Sequence, residues 1–149
     1  MLFAQNPTNN IETVQITERA TPWPFIGNSQ ISEPITVQGL GDPAQIIIQN
    51  TGTGPTFDIT GSDIILEGLT ITSGVGSGVA VSMTSNAVIN RCIIIGNVDD
   101  GISVTDTSAP IIVNCAFSQL AGAGVRGGPT AGTPEIAHRT LVENAVGVA

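Results

Sequence analysis

A glycine followed by a short alternating segment recurs at a fixed interval along this chain. Gly78-Val79-Ala80-Val81, Gly101-Ile102-Ser103-Val104, Gly124-Val125-Arg126-Gly127 and Gly147-Val148-Ala149 each begin 23 residues after the last. Self-similarity at a period of roughly 20–50 residues marks a chain built from stacked repeats. Further columns keep step: Leu66, Ile89 and Ile112; Leu69, Cys92 and Cys115; and Ile71, Ile94 and Phe117 are all spaced by 23. Ile46 and Ile48 stand one interval before Leu69 and Ile71, whereas Ile136 and Leu141 fall 24 after Ile112 and Phe117. Upstream, the Val79-Ala80-Val81 segment is matched with Phe57-Asp58-Ile59, Ile35-Thr36-Val37 and Val14-Gln15-Ile16, at steps of 22, 22 and 21.

Alternation at period two, with small or polar residues between the aliphatic ones, is the pattern of half-buried strands. In the coil beginning at Gly54 the expected strands are Phe57 to Ile59, Ile64 to Leu66 and Leu69 to Ile71, with bends at 60–63, 67–68 and 73–77. One such coil cannot bury its inner face alone. Stacking the next coil at the inter-strand spacing of about 4.8 Å satisfies the backbone and sets like residues on like. Each aliphatic side chain so buried is worth roughly 1.5–3 kcal/mol. Asn50, Asn97 and Asn144 are 47 apart and are expected at one bend of every second coil, in left-handed backbone.

Ile35-Thr36-Val37-Gln38-Gly39-Leu40-Gly41 with Ile46-Ile47-Ile48 resembles the opening of pectin-lyase-like β-helix proteins, and Ser108 to Phe117 resembles their repeats. The resemblance covers roughly residues 11–149. It implies an all-β, right-handed parallel β-helix solenoid of about six coils of 21–24 residues, with three short strands per coil. Residues 1–149 are read as one domain: 1–30 as an N-terminal coil or plug with a side loop carrying Trp23, and 31–149 as regular coils. The run 127–134, rich in Gly and Pro, is expected to project or to be mobile.

Composition narrows the partners. The chain has no Lys, four Arg (Arg19, Arg91, Arg126, Arg139), twelve acidic residues and a net charge of −8. That charge repels phosphate backbones and anionic lipid surfaces, so nucleic acid is not an expected partner. Apolar runs such as Ile93-Ile94-Ile95 are far shorter than the roughly 20 residues of a membrane span, so membrane insertion is not expected either. The N-terminus shows no signal-peptide pattern.

Candidate chemistry is sparse. Asp99-Asp100-Gly101, with Gly122-Ala123-Gly124 one coil on, is spaced as in polygalacturonases, whose paired Asp and Gly-His-Gly motifs carry hydrolysis by carboxylates. Here Ala123 stands at the His position, and the Asn-Thr-Asp and Arg-Ile-Lys motifs are missing. Asn97 to Gly101 is therefore read as a polar bend, with Asp99 and Asp100 as weak catalytic candidates. Calcium held by Asp99, Asp100 and Asp106 would suit a lyase, but no D-x-D-x-D loop is present. Arg126 is read as a solvated surface charge. Cys92 and Cys115 are read as stacked buried thiols, because in-register strands hold Cβ atoms near 4.8 Å against the roughly 3.8 Å of a disulfide. His138 is the only histidine and faces in or out; it makes neither a zinc site nor a triad. The outward Thr36, Asp58, Thr60, Ser82, Ser103 and Thr105 do not form the matching Thr rows of an ice-binding face.

No cofactor or metal is expected. The sequence points to a non-catalytic structural or interaction solenoid of a secreted or cell-surface protein. It is either part of a longer chain or self-associating through its ends into an oligomer or filament. The alternative is a carbohydrate-binding or polysaccharide-degrading module.

Overall fold

The computed structural model describes residues 12–18, 24–142, 144 and 146–149. Among the described residues, eighteen short strands run in the fixed order A, B, C around three six-stranded parallel sheets. Sheet A takes β1 (Glu12–Thr17), β4 (Ile35–Leu40), β7 (Ile64–Glu67), β10 (Val88–Asn90), β13 (Ile111–Val113) and β16 (Glu135–Ala137). Sheet B takes β2 (Phe25–Ile26), β5 (Ile47–Thr53), β8 (Thr70–Val75), β11 (Ile93–Ile95), β14 (Ala116–Ser118) and β17 (Thr140–Val142). Sheet C takes β3 (Ser29–Ile31), β6 (Phe57–Ile59), β9 (Val79–Val81), β12 (Ile102–Val104), β15 (Ala123–Gly127) and β18 (Val146–Val148). The chain is a parallel β-solenoid of about five turns, close to the six coils expected.

The columns coincide with the sheet registers. Leu66, Ile89, Ile112 and Ile136 are consecutive partners in sheet A, and Ile48, Ile71, Ile94 and Phe117 in sheet B. Leu69, Cys92 and Cys115 line up beside them at the A-to-B bend, since the Ile93 N–H donates to Leu69 O and the Ala116 N–H to Cys92 O. Ten of these eleven residues are buried, and Ile136 is partly buried against them. Sheet C adds the Phe57–Val79–Ile102–Val125 and Ile59–Val81–Val104 columns. The repeating glycine that enters sheet C has a packing cause. A Cβ on Gly101 would lie 2.6 Å from Gly124 O, and one on Gly78 2.9 Å from Gly101 O, so the corner closes only without side chains.

Three expectations are corrected. Ile35-Thr36-Val37 does not share a column with Phe57-Asp58-Ile59: it pairs in sheet A with Val14 and its neighbours above and with Ile64–Leu66 below, whereas Phe57–Ile59 pairs with Ser29–Ile31 in sheet C. The cause is unequal bends. Val37 and Ile48 are separated by 11 residues, including the 3-10 turn Pro43–Gln45, but the corresponding Leu66 and Ile71 by only 5. Second, the described residues between 24 and 31 are rungs, not a plug: Phe25–Ile26 pairs with Ile48–Gln49. Thr21 to Trp23 lie outside the described residues. Third, the loop after β15 is folded back. The Gly128 N–H donates to Val104 O, Ala131 packs on the core, and a Cβ on Gly132 would be 2.8 Å from Ser108 O.

The asparagines also differ from expectation. In the B-to-C bends of the fourth and fifth coils the left-handed residues are Gly96 and Gln119, each just before the inward position, and in the second it is Gly54; Asn50 and Asn97 do not have positive φ. Asn50 donates to Gly54 O and Pro55 O and accepts from the Gly52 N–H. Asn144 reaches the coil above, donating to Phe117 O and accepting from the Leu120 N–H. Asn97 is 1% exposed, and its amide makes no hydrogen bond to any described residue. In the coil above it, β8 continues to pair with β5 as far as Val75, unlike the three-residue strands β11 and β14. Leu120 occupies the equivalent place one coil below Asn97, because the Ala121 N–H donates to Asn97 O. Asn97→Leu is expected to raise stability by about 1–3 kcal/mol in urea unfolding, by removing an unsatisfied buried amide, while Asn144→Leu lowers it.

Candidate functional site

Asp99 and Asp100 lie on the bend that leads from β11 into β12. They point differently. Asp99 is exposed, whereas Asp100 is 3% exposed and turned toward the next coil. Asp100 Oδ1 accepts from the Ala123 N–H at 2.7 Å, and Oδ2 accepts from Arg126 Nε at 2.8 Å. Ala123 opens β15, and Arg126 stands on its outer face opposite Ser103. One carboxylate thus fastens two consecutive rungs of sheet C.

Gly122-Ala123-Gly124 is the cradle of this carboxylate. A Cβ on Gly122 would fall 2.3 Å from Asp100 Oδ1, so the glycine is what allows the carboxylate to reach the Ala123 N–H. The reading of Arg126 as a free solvated charge is corrected. The guanidinium is half-exposed but bound to Asp100, which raises its pKa, with a smaller contribution from the charge of Asp99. The pair was hidden because its residues are 26 apart: one coil of 23 plus the three residues from strand entrance to outward position. A carboxylate with both oxygens engaged by fixed donors is poorly placed to exchange a proton with substrate.

The calcium candidates are not assembled. Asp106 lies beyond the opposite end of β12 from Asp100, about 20 Å along an extended chain, and its Oδ2 accepts from the Met83 N–H. Among the described residues, no three His, Cys, Asp or Glu side chains come together in a metal-binding arrangement. His138 is exposed at the A-to-B bend, in left-handed backbone. It continues the column of Gly68, Arg91 and Asn114, which have the same conformation.

Both cysteines are buried free thiols. Cys92 donates to Asn90 O at 3.3 Å and Cys115 to Val113 O at 3.2 Å. The neighbouring Cys115 thiol and then burial push Cys92 well above the ordinary thiol range.

Sequence reading missed a side-chain ladder on the outer face of sheet A. Gln15 donates to Gln38 Oε1, Gln38 to Glu67 Oε2, Asn90 to Glu67 Oε1 and Asn114 to Asn90 Oδ1, at 3.0–3.3 Å. Its sequence signal was an amide or carboxylate at one outward strand position in Gln15, Gln38, Glu67 and Asn90, while Asn114 joins from the bend beside Val113. That signal emerges only once the unequal second coil is placed in register.

The model of the right-handed β-helix region matches residues 25–149, and the chain belongs to that family. The family includes both enzymes and non-enzymes. Comparison with curated proteins gives no match.

Two measurements test this geometry. Asp100→Ala is expected to cost about 1–3 kcal/mol by orphaning the buried Ala123 N–H, whereas Asp99→Ala leaves the urea midpoint nearly unchanged. A thiol whose folded pKa is raised supports the fold fully below its unfolded pKa, near the ordinary 9.0, and loses that contribution as pH rises. Stability is therefore expected to fall above about pH 9, and Cys92→Ala should flatten that alkaline slope.

Proposed function

We propose that this chain is a non-catalytic scaffold, a rigid solenoid segment of a secreted or cell-surface protein that presents its lateral faces and self-associates end to end. The observation that carries this reading is the engagement of Asp100. The best catalytic candidate in the sequence is used to tie β15 to the bend before β12 through Ala123 and Arg126. The same inter-rung pairing that joins each coil to the next would join one copy to another. The resemblance to the superfamily that includes adhesins and phage spikes supports a surface location.

A second reading, carbohydrate binding or cleavage, draws on the sheet A ladder. Its amides and the Glu67 carboxylate repeat once per rung, a spacing at which hydroxyl groups of an extended glycan could be met. Against it, aromatics are only 3% of the chain, so stacking platforms for sugar rings are few.

Sedimentation and electron microscopy over a wide concentration range, with reducing-end assays on neutral and acidic polysaccharides, test both readings. The scaffold reading expects concentration-dependent assembly and no release of reducing ends. A strict monomer defeats the self-association part. Release of reducing ends that disappears in Asp99→Ala defeats the non-catalytic part.

A further inference from the structure

The outer face of sheet A carries an aliphatic stripe beside its polar ladder. Ile65, Val88 and Ile111 are consecutive partners on β7, β10 and β13, with Thr36 above and Glu135 below. Ile111 is 37% exposed. With Asp63 and Asn86, the three line a groove of about 290 Å³. A single exposed aliphatic residue is ordinary; three stacked at adjacent rungs make a continuous apolar strip.

The surroundings of the strip have one sign. Asp63 stands on its rim at the C-to-A bend, and Asn86 accepts from the Asp63 N–H and fixes that rim. Glu67, in the adjoining column, is held in place by Gln38 and Asn90. Glu135 closes the lower end of the strip. The cations nearest in sequence, Arg91 and Arg139, lie at the A-to-B bend beyond the second column, and Arg91 donates to Gly41 O. A ligand complementary to this face is aliphatic along its centre and positively charged at its edges.

We infer that the Ile65–Val88–Ile111 groove is a docking surface for a basic, aliphatic polypeptide segment of another protein. The inference deepens the interaction-scaffold reading and rests on it. A second copy of this chain is the poorer complement, since the chain contains no Lys and carries a net charge of −8. Apolar contact with the strip would supply affinity, and the flanking carboxylates would supply selectivity for Lys or Arg and a dependence on ionic strength.

The test uses a fluorescent decapeptide of alternating Leu and Lys, with a Glu/Leu decapeptide and an oligo-lysine of equal charge as controls. Saturable binding of the Leu/Lys peptide alone is expected, weakening with salt. Val88→Thr with Ile111→Thr keeps the charge and strand propensity and should weaken binding about tenfold. Ile95→Thr, on the outer face of sheet B, should leave binding unchanged, and circular dichroism would verify that each variant folds. The inference is overturned if no saturable binding occurs, if oligo-lysine binds as tightly, or if the double variant binds normally. A concentration-dependent dimer abolished by the double variant also overturns it, by making a second copy the occupant. Sedimentation of the unaltered chain and the reducing-end assay judge the scaffold reading separately, so a failure here is distinguishable from a failure there.

Discussion

Vertical registration of aliphatic side chains is the constraint on which the other features depend. Each rung buries its inward Ile, Val, Leu or Phe against the same position of the rung above and below, while the backbone groups of both are consumed by parallel pairing. Slipping one strand by a single residue would turn its whole inward set outward. The bends must therefore deliver each strand in phase, and the left-handed residues, the stacked glycines and the capping side chains are the means by which they do so. Gly68, Arg91, Asn114 and His138 repeat one backbone conformation at one bend with four different side chains. The conformation is imposed by the stack and only partly encoded by residue type, since non-glycine residues bear a cost of about 1–2 kcal/mol in it.

Charged groups in this fold are subordinate to the same geometry. Asp100 is buried because it meets a backbone N–H of the next rung and a guanidinium from the next outward position. Its isolation from bulk water makes it a fastener between coils. Cys92 and Cys115 behave similarly: their position in an inward column decides their chemistry, and proximity of two buried thiols keeps Cys92 protonated. Asn97 shows the converse. It occupies an inward corner without finding a partner among the described residues.

The lower four coils were readable in the sequence because their bends are nearly constant. Leu66, Ile89 and Ile112, and Ile71, Ile94 and Phe117, are true neighbours at the spacing of 23 that revealed them. The first two coils misled because a near-constant step does not fix the phase. Ile35-Thr36-Val37 stands 22 before Phe57-Asp58-Ile59 and alternates in the same way, yet the two belong to different sheets. Periodicity reports that strands exist; only the pairing shows which sheet each enters. Of the candidate site, Asp99 and Asp100 were found from their adjacency, but the partnership with Arg126 required knowing which side chains turn outward. The sheet A ladder stayed hidden for the same reason.

The uneven second coil shows where such a molecule can absorb change. Val14 and Val37 are 23 apart, whereas Ile35 and Ile64 are 29 apart, and the stack continues across both steps. Added residues are absorbed at corners, where Pro43–Gln45 makes its short turn and the bulge between Asn50 and Thr53 interrupts pairing. Corner length is thus a free variable while strand phase is quantised. New recognition loops can be grafted at the A-to-B and B-to-C corners without disturbing the columns, a modularity that compact folds with interlocked cores lack.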